Sequence, residues 1–471
     1  MGDASAALAQ LVAGTTPGSL PPACTELARR GILDALGCGL YGAALPHVAW
    51  IRDGLDASSG GATLWGHRRG VAADQAALAN GTAVHATEMS ETFIRAVVHP
   101  GNVVVPAAVA VAEALGSTGA QLLTAVAVGY EVLARCGLAA GTGALMEQRL
   151  HTFSLLGPFG AAAAVAKLRF DDDADRVHDT LGIAATLAPT ALLDAAREGA
   201  TVKDVFEGHA AALGVVAGRY ASLGVTGMRR WTDEWFPAVI RTPDLDRLTD
   251  GIGDRWEMAR GGLRIKLRPV MGLVQPTVAA VLDLLDRQPV AVSDIAAVRV
   301  DSTRRAMIAT ETAPATVTGA KASIPFTVAA LLHRTRAART DPYLLDFYTE
   351  ELLRDPDVLA LAARCTVHLD EDFERHFETD AQMRYESRVT ITRHDGARVT
   401  GYADIWPATS RLTFDEVTGK FTACATRGGV ADPARIVEAV RRLEDLDDVR
   451  RLGELLAPDA RHTGRRDPRE G

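Results

Sequence analysis

The stretch Asn80-Gly-Thr-Ala-Val-His85-Ala-Thr-Glu88-Met-Ser-Glu91-Thr92-Phe-Ile-Arg-Ala-Val-Val-His99-Pro100-Gly-Asn-Val-Val-Val-Pro106 sets two histidines and two carboxylates between long runs of Ala, Val and Leu. Ionisable groups are costly in such surroundings unless they are paired or used. Helical spacing places His85 and Glu88 on one face, and His99-Pro100-Gly101 marks a break before a fresh helix. The stretch therefore reads as polar groups gathered at a helix end inside an apolar body, a common way to build a buried site.

Outward from it the first half of the chain reads as helical. Pro21 and Pro22 suit a helix start ahead of an apolar-periodic run through Leu40, and Val71 to Val84 continues in the same style. Thr63 to Gly66 reads as a short extended connection. Ala107 to Leu115 and Gln121 to Cys136 are Ala/Val/Leu-rich helices split by the turn signal Gly116-Ser117-Thr118-Gly119. Their small residues lie on several faces, which predicts close packing and burial on more than one side. His151-Thr-Phe-Ser-Leu-Leu-Gly-Pro-Phe-Gly160 opens another helix, a place where backbone N–H groups can receive a carboxylate. Asp171 to Asp173 read as capping and solvation. Gly199 to Lys203 leads into a further helix that contains His209.

From about Gly261 the texture changes. Val290 to Ser302 alternates and is β-branched, as a strand should be; Ile324 to Leu332 and Leu344 to Leu353 read as helices; Arg388 to Arg393 and Arg398 to Tyr402 read as a hairpin around His394-Asp-Gly396. Helices return after Pro407, including Arg435 to Leu443. The expected fold is mainly α with an inserted α/β domain: a helical large domain over 1–265, completed by 408–471, and a smaller α+β lid domain over 266–407.

Composition excludes several classes. A net charge of -9 argues against a nucleic-acid surface, no stretch reads as a signal peptide, and no uninterrupted apolar run reads as a membrane span. The five cysteines at 24, 38, 136, 365 and 424 are odd in number and never form a Cys-x-x-Cys pair, which argues against a disulfide framework or a cysteine-built metal site and for a reducing cytoplasm. Lysine occurs five times (167, 203, 266, 321 and 420) against forty-five arginines. The surviving lysines are candidates for positions where Arg will not serve, because a buried lysine can lower its pKa and exchange a proton while Arg stays charged. The plain alternative is packing or chance.

Several short motifs in order carry a resemblance: Asn80-Gly81 with His85, His99-Pro100, Gly129-Tyr130-Glu131, His151-Thr152 with Gly157-Pro158-Phe159-Gly160, Lys203 with Gly208, Thr226-Gly227, Lys266 with Pro269, Ala320-Lys321-Ala-Ser323 and Lys420-Phe421. Their order and spacing from about residue 20 to 425 resemble the MmgE/PrpD family, which contains 2-methylcitrate dehydratases, cis-aconitate decarboxylases and an iminodisuccinate epimerase. The resemblance implies a homodimer and a metal-free, cofactor-free site between the two domains. Its site residues fall on Glu88, Thr92, His99, His151, Lys203 and Lys266. This chain departs from the family in having Gln275 where a histidine is usual, Arg268 where an aromatic residue precedes the proline, and Phe326 in place of a lid tyrosine.

The chemistry these groups suit is proton abstraction next to a carboxylate, followed by loss of a group or return of the proton. An enolate-like intermediate needs positive charge beside it. With no metal motif, Lys203, Lys266 and Arg268 are the candidate cations, and His99 and His151 the acid and base in either order. Glu88, Thr92, Arg268 and Gln275 are the candidate substrate-binding residues; His85, His178 and His209 keep a structural reading, and Glu88 either contacts substrate or orients a histidine. The expected function is a cytoplasmic, metal-independent lyase, a dehydratase or decarboxylase, acting on a small di- or tricarboxylate. An epimerase or isomerase of a related acid and a ligand-binding protein without turnover are the alternatives. Lys321 and Lys420, outside the set, are expected to tolerate Arg.

Overall fold

The computed structural model describes residues 3–55, 60–67, 70–141, 145, 147–260, 263–379, 384–405 and 412–457. It divides into two compact units, one built from Met1–Leu192, Asp204–Leu263 and Thr413–Gly471, the other from Leu193–Lys203 and Arg264–Leu412. Leu193–Lys203, assigned from the sequence to the helical domain, thus falls in the α/β unit. The reason is local: Gly199, at φ +68, lies against Gly319, and Thr316 Oγ1 donates to the Gly199 carbonyl at 2.9 Å.

The helical unit is a stack of helices: α1 (Ala4–Gly14), α2 (Pro22–Ala43), α3 (Pro46–Gly54), α4 (Ala73–Ala86), α5 (Pro100–Leu115), α6 (Gly119–Ala140), α7 (Thr152–Phe170), α8 (Ala174–Leu187) and α9 (Val202–Ser222). The proline starts at α2, α3 and α5 supply the fixed φ that a first turn needs. Thr118 and Gln121 close a capping box on α6 after Gly116, which takes φ +67. A short antiparallel strand pair, Ala62–Thr63 with Gly70–Val71, lies between α3 and α4. As their small residues predict, α5, α6 and α7 are buried almost all round.

Helix α6 is long and apolar enough to cross a membrane by length and composition, but 94% of its apolar window is buried inside the protein. Its two charges answer each other there: Arg135 Nε donates to Glu131 Oε1 at 2.7 Å, Glu131 accepts the N–H groups of Glu257 and Met258 at 2.9 and 3.0 Å, and Arg135 also donates to the carbonyls of Leu248, Asp250 and Arg255. A fully partnered buried ion pair of this kind belongs to a protein core.

The C-terminal helices return to the same unit. Phe414–Arg427 packs on α2, and Pro433–Arg441 packs on α2, on Phe414–Arg427 and on Arg450–Leu456. The expected connection at Pro407 lies outside the described residues.

The α/β unit holds a four-stranded sheet of β1 (Ile295–Ser302), β2 (Cys365–Leu369), β3 (Glu386–Arg393) and β4 (Arg398–Asp404) in the order β2-β1-β3-β4. The β1/β2 pair is parallel, with Val300 opposite Val367; β1/β3 and β3/β4 are antiparallel, with Val300 opposite Val389 and Thr390 opposite Thr400. The β3/β4 hairpin turns at Gly396, φ +85, as the Asp-Gly pair requires. Val298, Val300, Val389 and Ile391 face the helices Gln275–Arg287, Ile324–His333 and Pro356–Ala362 in one core. Phe326 belongs to that core and is fully buried.

The helix expected over Leu344 to Leu353 is confined to Glu350–Leu353. Leu344 and Asp346 adopt φ +54 and +56, and Asp341 accepts the N–H groups of Tyr343 and Leu345, so side-chain caps take the place of a first helical turn.

Two helices of the helical unit meet at a pair of glycines. A Cβ built on Gly208 of α9 would lie 2.3 Å from the Leu78 carbonyl oxygen of α4, and one on Gly81 would lie 2.8 Å from the Gly208 Cα. Gly208→Ala is therefore expected to force the helices apart and destabilise the fold by about 1–3 kcal/mol, the range for overpacking. Gly14→Ala, with nothing within 4 Å of its added methyl, should be nearly neutral. Urea midpoints of the two variants against the parent check both.

Candidate active site

The polar residues of the opening stretch collect where α4 ends and α5 begins. Helix α4 stops at Ala86, and Glu88 takes φ +58, so His85 and Glu88 do not share a helix face as their spacing predicted. The Phe93 N–H donates to the Val98 carbonyl at 2.8 Å, closing a tight loop that brings His99 back beside Thr92.

His99 and His151 occupy matching places. Each is the N-cap residue of a buried helix, α5 and α7, and neither side chain caps its own helix. His99 Nδ1 lies 2.8 Å from the Glu91 carbonyl and 2.9 Å from Thr92 Oγ1. A carbonyl only accepts, so Nδ1 carries a proton. His151 Nδ1 and the His151 carbonyl each lie 3.1 Å from Ser154 Oγ; with the hydroxyl proton on the carbonyl, Nδ1 is the donor here too. Burial pushes the His151 pKa down, against a smaller opposing pull from Glu207, and keeps the ring neutral. Phe153 joins the two rings, with centroids 4.2 Å from His99 and 4.8 Å from His151, and Phe206 lies 5.1 Å from His151.

Beside them stands a group that the sequence reading set aside. His85 Nδ1 pairs with Glu207, and Asn102 Nδ2 lies 3.0 Å from His85 Nδ1 and 3.1 Å from Glu207 Oε2, all of it buried. The His85 and His99 rings are 6.3 Å apart. Glu207 precedes Gly208, so the glycine contact of α4 with α9 is what lets His85 reach it. Neither Asn102 nor Glu207 carried a signal beyond being polar in an apolar run.

Beneath the 88–92 segment lies a second buried cluster. Lys420 Nζ donates to Asp34 Oδ1 and to the Met89 carbonyl, each at 2.5 Å, and Asp34 Oδ2 accepts the Glu91 N–H at 3.2 Å. The Glu91 carboxyl sits near Tyr130 under Gly31; burial, reinforced by the nearby Asp34 charge, raises its pKa to about 8, so it is neutral at pH 7. Lys420 is thus no tolerant control for substitution. It is 1% exposed, like Lys266 at 2%, Lys203 at 3%, and Lys167 and Lys321 at 6%. The chain keeps lysine only where the ammonium is buried.

Of the remaining candidates, Lys203, Lys266, Arg268 and Gln275 belong to the α/β unit, whereas Glu88, Thr92, His99 and His151 belong to the helical unit. Gln275 Nε2 donates to the carbonyls of Arg268 and Val270 at 2.7 and 2.9 Å, so its amide nitrogen braces the Arg268–Val270 turn. Arg268 keeps a buried Nε with no hydrogen-bond partner among the described residues, and burial holds its pKa below the ordinary arginine value. Three residues with positive φ flank the helical candidates: Glu88 at +58, Val97 at +48 and Arg149 at +59. Such backbone persists where surroundings over-determine it, commonly at functional sites. Among the described residues one group, His333, Asp355 and Asp357, brings three metal-type ligand atoms within 4.8 Å of one another. It contains none of the candidates, and Asp355 already caps the helix Pro356–Ala362.

The five cysteines are all free and buried.

The N-terminal domain model of the MmgE/PrpD family matches residues 6–238, and its C-terminal domain model matches residues 269–445. The chain is 26% identical to a cis-aconitate decarboxylase of Aspergillus terreus over 93% of this chain and 92% of the relative. It is 26% identical to the Mus musculus cis-aconitate decarboxylase over 95% of this chain and 92% of that protein, and 31% identical to the Homo sapiens enzyme over 48% and 47%. With both family domains matched in order along most of its length, the chain belongs to the MmgE/PrpD family.

Proposed function

We propose that the protein is a lyase of small di- or tricarboxylates, working by proton chemistry next to a carboxylate without metal or cofactor. The observation that carries this reading is the pair of buried N-cap histidines, His99 and His151, whose Nδ1 atoms are each held by a backbone or hydroxyl oxygen. The relatives matched over most of their length are decarboxylases, which makes cis-aconitate the first substrate to offer. In a decarboxylation the C–C bond to the departing carboxylate breaks and carbon dioxide leaves. The electron pair moves toward a neighbouring carboxylate as an enolate-like ion, and one proton returns to carbon. In a dehydration the base takes a proton from carbon and the hydroxyl leaves with a proton as water. Lys203, Lys266 and Arg268 are assigned the positive charge that both routes require, Thr92 orients His99, and Glu88 is assigned to the substrate. His151, held neutral by burial, is assigned the base role, and His99 the return of the proton, which it gives from Nε2 when it carries a proton on each nitrogen.

Gln275 favours a second reading to be tested alongside. A neutral amide tied to backbone carbonyls stands where the family usually has an ionisable imidazole, and this suits an epimerase or isomerase that returns the proton without eliminating anything. Incubation with cis-aconitate and related acids in heavy water separates the readings: a lyase releases carbon dioxide or forms a new alkene, an epimerase incorporates deuterium without net elimination, and a binder does neither. Lyase turnover should survive extensive chelation. Loss restored by one divalent ion would overturn the metal-free reading.

Two further outcomes are expected. Lys203→Arg and Lys266→Arg keep the charge but lose the compact ammonium and its capacity to exchange a proton, so each should lower kcat by about a hundredfold to ten-thousandfold, the range for catalytic proton transfer, while circular dichroism shows the variants folded at the assay temperature. If His151 is the base, its lowered pKa keeps it ready as pH falls, so kcat/KM should hold its plateau through about pH 6.5, the ordinary imidazole value. A decline that begins above that pH would remove His151 from the role.

A further inference from the structure

We propose that the buried Asp34–Lys420 pair is a positioning device that fixes His99 by holding the backbone of the 88–92 segment at two points. This assignment rests on the proposed function for its effect on turnover, and on geometry alone for its effect on His99.

The segment between α4 and the Phe93–Val98 loop has no helix or long strand to hold it, and Glu88 adopts a left-handed backbone that a non-glycine residue enters only under constraint. Its hooks come from elsewhere in the chain. Lys420, from the helix Phe414–Arg427, donates to the Met89 carbonyl; Asp34, from α2, accepts the Glu91 N–H; and the Glu91 carbonyl accepts from His99 Nδ1 at 2.8 Å. Glu91 therefore has its N–H held by Asp34, while its carbonyl, in the next peptide unit, sets the tautomer and plane of the His99 ring. The neutral Glu91 carboxyl adds no charge to compete for these hooks at pH 7.

Stability alone does not account for the pair. Both side chains are 1% exposed, and a buried ion pair recovers its desolvation only with excellent geometry, so an apolar pair of equal volume often serves a core as well. An apolar pair offers no directed hydrogen bonds to Met89 and Glu91. The choice of lysine also fits, since α2 and the C-terminal helix pack tightly at this level: a Cβ on Gly37 would lie 3.0 Å from the Phe421 ring, leaving little room for a guanidinium.

The test uses full-length protein labelled with nitrogen-15 in histidine, with His99→Gln and His151→Gln to assign the two rings. Long-range proton–nitrogen spectra should show His99 protonated at Nδ1 in the parent. In Asp34→Leu/Lys420→Met, which removes both charges and both hydrogen bonds to the segment while leaving apolar side chains of similar shape, His99 should become a mixture of tautomers while His151 keeps its own spectrum. The kcat for the turned-over acid should fall at least tenfold, with KM changed less than threefold. A folded double variant with parental His99 signals and kcat overturns the proposal, as does one in which both histidines change alike. If the double variant fails to fold, the parent spectrum decides, because His99 protonated at Nε2 overturns the proposal and Nδ1 supports it. If the parent turns over no acid, the proposed lyase function fails, and the His99 spectra still judge the positioning role.

Discussion

Two helices can bring their backbones nearly into contact only where neither carries a side chain, and the helical unit is built on that constraint. At Gly81 and Gly208 it draws α9 against α4 and delivers Glu207 to His85. The same small-residue packing surrounds α5, α6 and α7 so completely that water is excluded from both faces of each. Every polar group left inside must then find its partner within the protein, because an unmade hydrogen bond in such a medium costs more than a made one returns. The ordered partners of His85, His99 and His151 are in this sense a product of the apolar packing around them.

That packing also explains how three strained residues are kept in place. Glu88, Val97 and Arg149 each hold a backbone conformation that costs of order 1–3 kcal/mol for a side-chain-bearing residue. Each stands just ahead of, or within, a turn that leads into Thr92, His99 or His151. The conformations change the direction of the chain over one or two residues, so an imidazole can sit at a helix start with its Nδ1 facing backbone or hydroxyl and its other edge elsewhere.

The fold was legible because its signals are local. The proline starts, the Gly116–Gly119 turn, the small-residue helices and the Asp395-Gly396 hairpin each depend on a few neighbouring residues. What escaped the sequence depends on distant ones. His85 and Glu88 looked like helical neighbours, because nothing nearby shows that α4 ends at Ala86. Lys420 looked expendable because its partners, Asp34 and Met89, lie more than three hundred residues away in the chain. Asn102 and Glu207 gave no pattern at all, since a lone amide or carboxylate acquires meaning only from the ring it meets.

The burial of all five lysines reaches beyond catalysis. A folded surface whose side-chain cations are arginine offers amine-directed reagents almost nothing to attack, since acylating esters and aldehydes need an accessible, deprotonated amine and guanidinium stays protonated. Lysine acylation would then proceed only as fast as the structure opens. Ordinary amine labelling becomes a clock for local unfolding, with Lys420 reporting on the helix Phe414–Arg427 and Lys321 on the α/β unit.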